Sequence, residues 1–197
     1  MEFPFEEKPI YLNKDDLYQF TRAFGLSEPD ASRIARLNQL REVSRHSKDG
    51  KLIHNYFENS NHHNIRDMAV IKMWSAYRKD RELNFVANGY DQTRRLLLWH
   101  GTRKENLLGI LDDGFRRPDP KRVAHGSKFG RGIYFADRVS KSAYYCDGNG
   151  YGLLFLCEVA LGAMSVESTL IKIINSFFVQ VEDRPPEELQ RRSARIR

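Results

Sequence analysis

The spacing of hydrophobic positions changes along this chain, and the changes divide it. Leu17, Phe20 and Phe24 stand at helical spacing behind Asn13-Lys14-Asp15-Asp16, which predicts a helix capped at its C-terminus by Gly25. Ser27-Glu28-Pro29-Asp30 reads as the start of a second helix, with Ile34, Leu37 and Leu40 repeating at three behind it. Asp49-Gly50 is a turn signal and closes a polar helical segment over residues 1–50. The stretch 51–95 reads as mixed structure. Leu52-Ile53 and Tyr56-Phe57 precede a polar patch from Asn59 to Asn64. The run Met68 to Tyr77, with Val70, Ile71 and Trp74 apolar, fits a strand or a helix equally.

The pattern sharpens over residues 96–162. Leu96-Leu97-Leu98-Trp99 predicts a short buried strand ending at His100-Gly101-Thr102. A helix follows. Thr102 and Glu105 have the spacing of a capping box, Leu107, Leu108 and Leu111 form a buried stripe, and Gly114 is placed to stop it. Arg116 to Lys128 reads as a polar loop holding Pro118 and Pro120. Ile133-Tyr134-Phe135 reads as a strand after Gly130 and Gly132, and Asp137 to Cys146 as a short helix. Leu153 to Leu161 is apolar almost throughout, as in a strand covered on both faces. Leu170 to Val181 fits one more strand. Pro185-Pro186 then breaks the chain, and residues 182–197 read as a charged tail.

The length of 197 residues suits one domain with an appendage at most. No stretch approaches the roughly 20 apolar residues of a membrane span, and Met1 to Glu7 lacks the basic and apolar regions of a secretory signal. Neither Cys146 and Cys157 nor the histidines stand at a recognised metal spacing, so no metal is expected and a reducing compartment, nucleus or cytosol, is the better expectation. The formal charge of +6 favours anionic partners. Arg191, Arg192, Arg195 and Arg197 contribute to it. They make nucleic acid or chromatin a candidate contact, although a solvated tail is the plainer reading.

Three groups of residues carry candidate chemistry. His100-Gly101-Thr102 stands where a strand gives way to a helix. Gly101 lets a ligand approach the backbone, and a helix start favours anionic groups such as a pyrophosphate; taken alone, the triplet reads first as a plain strand–turn–helix corner. Gly130 to Asp137 has glycines but lacks the endings of phosphate or dinucleotide loops. Tyr134 there either stacks on a flat ligand or packs in the core. Ser142 and Tyr145, three apart, share a helix face that would suit a planar heterocycle bearing an amide, or form an ordinary amphipathic turn.

Taken together the segments carry more. Leu97 to Thr102, Phe129 to Asp137, Val139 to Cys146 and Glu158-Val159-Ala160-Leu161-Gly162 closely resemble the poly(ADP-ribose) polymerase catalytic domain in order and spacing as well as in letters. Ile53-His54-Asn55-Tyr56 with Asn59 is similar to the stretch that opens it. The resemblance covers about residues 51–163. It implies an α+β, ADP-ribosyltransferase-like fold of mixed, mostly antiparallel sheets around an NAD-binding cleft. Residues 1–50 would be a helical N-terminal segment and 51–181 an incomplete catalytic domain. It further implies NAD⁺ as a substrate, proteins as ADP-ribose acceptors and no metal or membrane.

The implied roles are specific. The backbone of Gly101 and the hydroxyl of Ser142 would hold the nicotinamide carboxamide. Tyr145 would stack on the ring and Tyr134 line its other side. His100 would bond the adenosine ribose, with Thr102, Asn106 and Arg116 around the adenosine. Lys141 would lie near the reacting ribose, which makes His100, Tyr134 and Lys141 the implied catalytic set. Active members of the family also carry a glutamate on a late strand. Here 35 residues follow Gly162 and none reads like that strand. Glu158 matches a different, non-catalytic position, so no catalytic carboxylate is assigned and the chain reads as truncated at its C-terminal end. Transfer of single ADP-ribose units is one expectation; the alternative is a weak or inactive module that binds NAD⁺ or ADP-ribose.

Overall fold

The computed structural model describes residues 12–61, 68–78, 80–81, 83, 95–117, 132–146, 151–161 and 171–183. In chain order the elements are α1 (Lys14–Phe24), α2 (Glu28–Leu37), β1 (Arg41–Glu42), α3 (Lys48–Ser60), β2 (Met68–Tyr77), β3 (Arg95–Thr102), a 3₁₀ turn (Lys104–Asn106), α4 (Leu107–Asp113), α5 (Val139–Ala143), β4 (Tyr151–Leu161) and β5 (Ile171–Asp183). The strands form one sheet in the order β1-β2-β5-β4-β3, and every neighbouring pair is antiparallel. Helices cover both of its faces, which bears out the α+β expectation.

β4 runs between β3 and β5, and Leu153 to Ala160 are all buried. Successive side chains of a strand point to opposite faces. Leu154 and Leu156 accordingly join a cluster with Ile53, Phe57, Trp99, Val139 and Ala143. Leu153, Phe155, Cys157 and Val159 join a second with Phe20, Ile34, Leu40, Trp74, Leu107 and Leu111. One face is therefore closed by α3 and α5, the other by α1, α2 and α4. Two hydrophobic layers erase the period of two that one layer would leave in the sequence.

β2 resolves the ambiguous run as a strand. Val70 pairs with Val181 but Lys72 with Gln180, so Ile71 is an extra residue, a β-bulge, and is exposed. The bulge flips the strand's facing. Met68 and Val70 before it and Met73 after it share the first cluster, while Trp74 and Ala76 share the second. The intervals two, three and one imitate a helix, which is why periodicity left this stretch undecided.

Other expectations need correction. Asp49-Gly50 is not a turn between segments. It lies in the first turn of α3, whose N-cap Ser47 accepts from the Gly50 N–H at 3.0 Å. A Cβ on Gly50 would stand 2.0 Å from the Ser44 carbonyl oxygen, so that glycine serves close packing, and the division at residue 50 falls inside a helix. α2 begins as expected, with Ser27 as N-cap, but ends at Leu37. Gln39 then takes φ +43° and the Leu40 N–H returns to the Ala35 carbonyl at 2.9 Å. Leu40 is thus buried from outside the helix, while Leu37 is exposed.

The strand β3 ends at His100-Gly101-Thr102 as expected, the triplet forming its last three residues. The capping box does not form: the 3₁₀ turn is led by Arg103 without a side-chain cap, and Thr102 Oγ1 accepts from Asn106 Nδ2 at 3.0 Å. Leu107 and Leu111 are buried and Leu108 partly so, and Gly114 ends α4 at φ +87°. Ile133-Tyr134-Phe135 is not a strand; one antiparallel bridge joins Ala136 to Trp99. The short helix within 137–146 is confined to α5. β5 carries residues 182 and 183, which the sequence assigned to the tail. Residues 118–131 and 184–197, with most of the polar loop, the motif glycine Gly130 and the four C-terminal arginines, lie outside the described residues, as do 62–67 of the polar patch. No helix among the described residues is long and apolar enough to cross a membrane.

The α2 register makes a direct test. Ile34 is fully buried and Leu37 is not. Ile34→Ala will lower the free energy of unfolding in urea by about 2–5 kcal/mol, and Leu37→Ala by less than about 0.5 kcal/mol.

Candidate active site

The site is built on the free edge of β3. Alternate residues of an antiparallel strand direct their N–H and C=O groups to opposite edges. The Trp99 N–H donates to the Ala136 carbonyl at 2.7 Å and its carbonyl accepts from the Ala136 N–H at 2.9 Å. Trp99 therefore turns its backbone away from its β4 partner, Leu156, and so do Leu97 and Gly101, two residues to either side in an unshifted register. The Leu97 carbonyl accepts from Tyr56 Oη at 2.7 Å. The Trp99 carbonyl also accepts from Ser142 Oγ at 2.9 Å. Continued pairing would bring Tyr134 opposite Gly101, but the ladder ends at the Trp99–Ala136 bridge. The Gly101 N–H and C=O, one donor beside one acceptor, are left facing the edge without a backbone partner among the described residues. A primary carboxamide presents the complementary acceptor and donor.

Side chains from α3 and α5 hold this edge. The Tyr56 ring stacks on Trp99 at 5.7 Å and 17°, and Trp99 Nε1 donates to Ser60 Oγ at 3.0 Å. Burial, and secondarily the Asp137 carboxylate, push the Tyr56 phenol above its ordinary value, so it stays a protonated donor. α5 lies directly against Gly101: a Cβ there would stand 1.8 Å from the Ser142 carbonyl oxygen. Ser142 is buried, and with its proton on Trp99 its hydroxyl offers lone pairs. The Tyr145 N–H reaches the Ser142 carbonyl at 3.1 Å, and the Tyr145 side chain remains 47% exposed, free to cover a flat ring.

His100 occupies the opposite face of β3 from Trp99. Its Nδ1 lies 2.9 Å from the Tyr134 carbonyl oxygen. A carbonyl only accepts, so Nδ1 carries the proton and Nε2 of the neutral ring is an acceptor. Burial lowers the imidazole's affinity for a second proton, and the bond to Tyr134 opposes that only in part. The ring is neutral near pH 7.

The predicted residues therefore form a connected line. Tyr134 bonds His100, His100 adjoins Gly101 in β3, Gly101 touches Ser142, and Ser142 bonds Tyr145. Thr102 is buried at the end of β3, tied to the exposed Asn106. Lys141 is exposed on α5. Arg116 is exposed beside α4 and pairs with Asp113 at 3.0 Å. Glu158 is buried and bound to Arg95 Nη1 at 2.6 Å, six residues before Gly101 on β3. Three contributors escaped sequence reasoning: the Trp99 carbonyl, the Tyr56–Ser60 brace and Phe115, whose ring meets His100 at 4.8 Å. A main-chain carbonyl leaves no mark in the letters. The four-residue spacing of Tyr56 and Ser60 was the available signal for the brace.

Comparison with known proteins follows the same segments. The model of the poly(ADP-ribose) polymerase catalytic domain matches residues 47–175. The chain is similar to a poly [ADP-ribose] polymerase of Drosophila melanogaster, with 38% identity over 142 residues, 70% of this chain and 14% of that protein. It is also similar to poly [ADP-ribose] polymerase 1 of Xenopus laevis, with 40% identity over 132 residues, 64% of this chain and 13% of that one. With poly [ADP-ribose] polymerase 2 of Arabidopsis thaliana the identity is 38% over 133 residues, 64% of this chain and 20% of that one. The chain thus spans a fifth or less of the length of these relatives. α1 and α2 precede the matched segment.

Two expected outcomes test this geometry. Gly101→Ala places a methyl group against backbone, which cannot swing aside, and will lower unfolding free energy by about 1–3 kcal/mol; unchanged stability would mean α5 does not press on β3. For His100 the folded affinity for a proton is depressed, so the unfolded chain binds more protons as the pH falls below the ordinary value of 6.5. Its contribution to stability is complete above that value and declines on acidification. A melting-temperature series from pH 7.5 to about 5 will show the decline, and His100→Gln will flatten it. The carboxylates of Asp80 and Asp112 are held below 3.8 by Arg78 and Arg33 and titrate outside this window.

Proposed function

The chain belongs to the poly(ADP-ribose) polymerase catalytic-domain family, and on that premise we propose that it is an ADP-ribosyltransferase that takes ADP-ribose from NAD⁺ to protein acceptors and releases nicotinamide. The observation that carries this reading is the open backbone rung of Gly101 beside the buried Ser142, with Tyr145 exposed next to it. In this reading the carboxamide lies on the Gly101 N–H and C=O and within reach of the Ser142 lone pairs. Tyr145 covers the ring, with Tyr134 toward its other side. His100 accepts from a ribose hydroxyl through Nε2. Thr102, Asn106 and Arg116 stand toward the adenosine, and Lys141 toward the reacting ribose.

A firmly held carboxamide fixes the pyridine while the C1′–N bond lengthens. The bonding pair leaves with the pyridine nitrogen and cancels its positive charge, so nicotinamide departs neutral. The sugar carbon becomes oxocarbenium-like, as in glycoside hydrolysis. An acceptor oxygen or nitrogen then bonds C1′ and loses its proton. Acceptor proteins in the nucleus or cytoplasm are the partners this reading requires, and single-unit transfer is the form it favours. A second reading, binding of NAD⁺ or ADP-ribose without transfer, is favoured by one observation. The sequence offers no match to the family's late-strand glutamate, and Glu158, bound to Arg95 away from Gly101, does not stand in for it.

Incubation with NAD⁺ labelled in the adenylate moiety, alongside a separate affinity measurement, distinguishes the two. Transfer predicts label on protein that Tyr145→Ala removes. Because Tyr145 is exposed, that variant will melt within a degree or two of the parent and weaken NAD⁺ binding by about tenfold, the value of a lost stacking contact. Saturable binding with no label on protein selects the second reading. Absence of binding by the folded parent chain defeats both.

A further inference from the structure

The aromatic surroundings of His100 carry an inference beyond the residues that would touch NAD⁺. Phe115 follows Gly114 immediately after α4. Its ring meets the imidazole at 4.8 Å and 80°, Phe135 at 5.7 Å and Phe155 at 5.5 Å, and Phe135 lies 5.4 Å from the imidazole on its own account. The hydrogen bond from Nδ1 to the Tyr134 carbonyl sets which edge of the ring faces Tyr134, and the neighbouring rings limit its remaining tilt. Phe115 meets the imidazole edge-on at 80° and Phe135 at 49°, so the ring is packed by two aromatic neighbours. Burial and the Tyr134 carbonyl are the influences on His100, and no charged side chain among the described residues acts on it.

Phe115 is itself held at a set height. Arg78 Nη1 donates to the Asp112 carbonyl at 2.6 Å, and Arg81 Nη2 donates to the Leu111 and Asp112 carbonyls at 3.3 and 3.2 Å. Two guanidinium groups thus satisfy carbonyls that the C-terminus of α4 leaves open. The Arg81 guanidinium packs against Gly114, 3.4 Å from its ideal Cβ, and Gly114 at φ +87° turns the chain. The residue after that turn is Phe115.

We propose that Phe115 is a positioning residue for His100: it fixes the plane of the imidazole and keeps water from it, so that Nε2 meets the ligand as a bare acceptor in one direction. The proposal rests on the reading of His100 as a residue that bonds NAD⁺. Its own content, the state of the imidazole, is measurable without ligand.

The test compares Phe115→Ala with Phe115→Leu, which restores an apolar side chain of similar reach, and with Ile110→Ala. Ile110 packs in the same cluster and its loss serves as a purely structural control. Imidazole nitrogen and carbon shifts followed by NMR against pH report His100 directly, and calorimetry reports NAD⁺ affinity. In the parent, His100 will titrate below an ordinary histidine. Phe115→Ala will move it up toward the ordinary value and weaken NAD⁺ binding by about tenfold, the cost of an unfixed contact. Phe115→Leu will keep both close to the parent. Ile110→Ala will lower the melting temperature but move neither. If the alanine variant fails to fold, Phe115→Val gives the same comparison. The proposal is overturned if the truncated variant melts lower while its His100 titration and NAD⁺ affinity stay at parent values. A parent that does not bind NAD⁺ sinks the functional reading, yet the His100 titration still decides the role of Phe115.

Discussion

An edge strand inside a protein must dispose of an N–H and a C=O at every second residue, because each such group buried without a partner costs as much as a lost hydrogen bond. β3 meets part of that requirement with partners from three elements. A tyrosine hydroxyl takes the Leu97 carbonyl, a single bridge and a serine hydroxyl take Trp99, and Gly101 remains open among the described residues. Each partner fixes a different element: Tyr56 fixes α3, Ala136 the chain ahead of α5, Ser142 α5 itself. The open rung lies just beyond the Trp99–Ala136 bridge, and its facing follows from the pairing of β3 with β4. The absence of a side chain at Gly101 then admits α5 to within contact of the strand.

How legible this was in the sequence depended on whether an element's burial is regular. β4 was readable because both faces are covered along its length, so the letters are apolar without interruption. The caps of α1 and α2 were readable because Gly25 and Ser27 act through local backbone geometry. β2 was not, since a bulge at Ile71 exchanges its faces midway. α3 was missed because its buried positions, Ile53, Phe57 and Ser60, are separated by asparagine, histidine and glutamate, and because Asp49-Gly50 is ordinarily turn chemistry. Here the glycine is used for clearance against Ser44, a tertiary fact with no local signature. Ile133-Tyr134-Phe135 has strand composition but lies along an edge that accepts only one bridge.

The candidate site divides in the same way. Its residues were named through a family resemblance in letters, order and spacing, and a line of largely main-chain contacts runs from Tyr134 to Tyr145. The Gly101 backbone was named from the sequence, but the Trp99 carbonyl was invisible, as was the commitment of the Ser142 proton to it. That commitment changes what the hydroxyl offers a ligand. A serine with a free proton would favour a ligand acceptor; this one presents lone pairs, which favour a ligand N–H. Together with the Gly101 carbonyl it turns the cleft toward a group that donates as well as accepts. A carboxamide does both and a carboxylate only accepts, so an acid in place of the amide would set two acceptors against one another.

β3 also joins two cores, and this is where the segment ahead of the family match acquires a bearing on the site. Trp99 points into the cluster under α3 and α5. The ring of His100, one residue later, points to the other face, where Phe115, Phe135 and Phe155 meet the cluster that holds Phe20, Ala31 and Ile34. α1 and α2 therefore help to exclude water from the layer in which His100 lies. Exclusion of water is what keeps the imidazole neutral, and neutrality is what leaves Nε2 an acceptor. Helices outside the matched catalytic segment thus contribute to the chemistry of a residue inside it. They do so through packing alone, with none of their side chains in the line of predicted site residues.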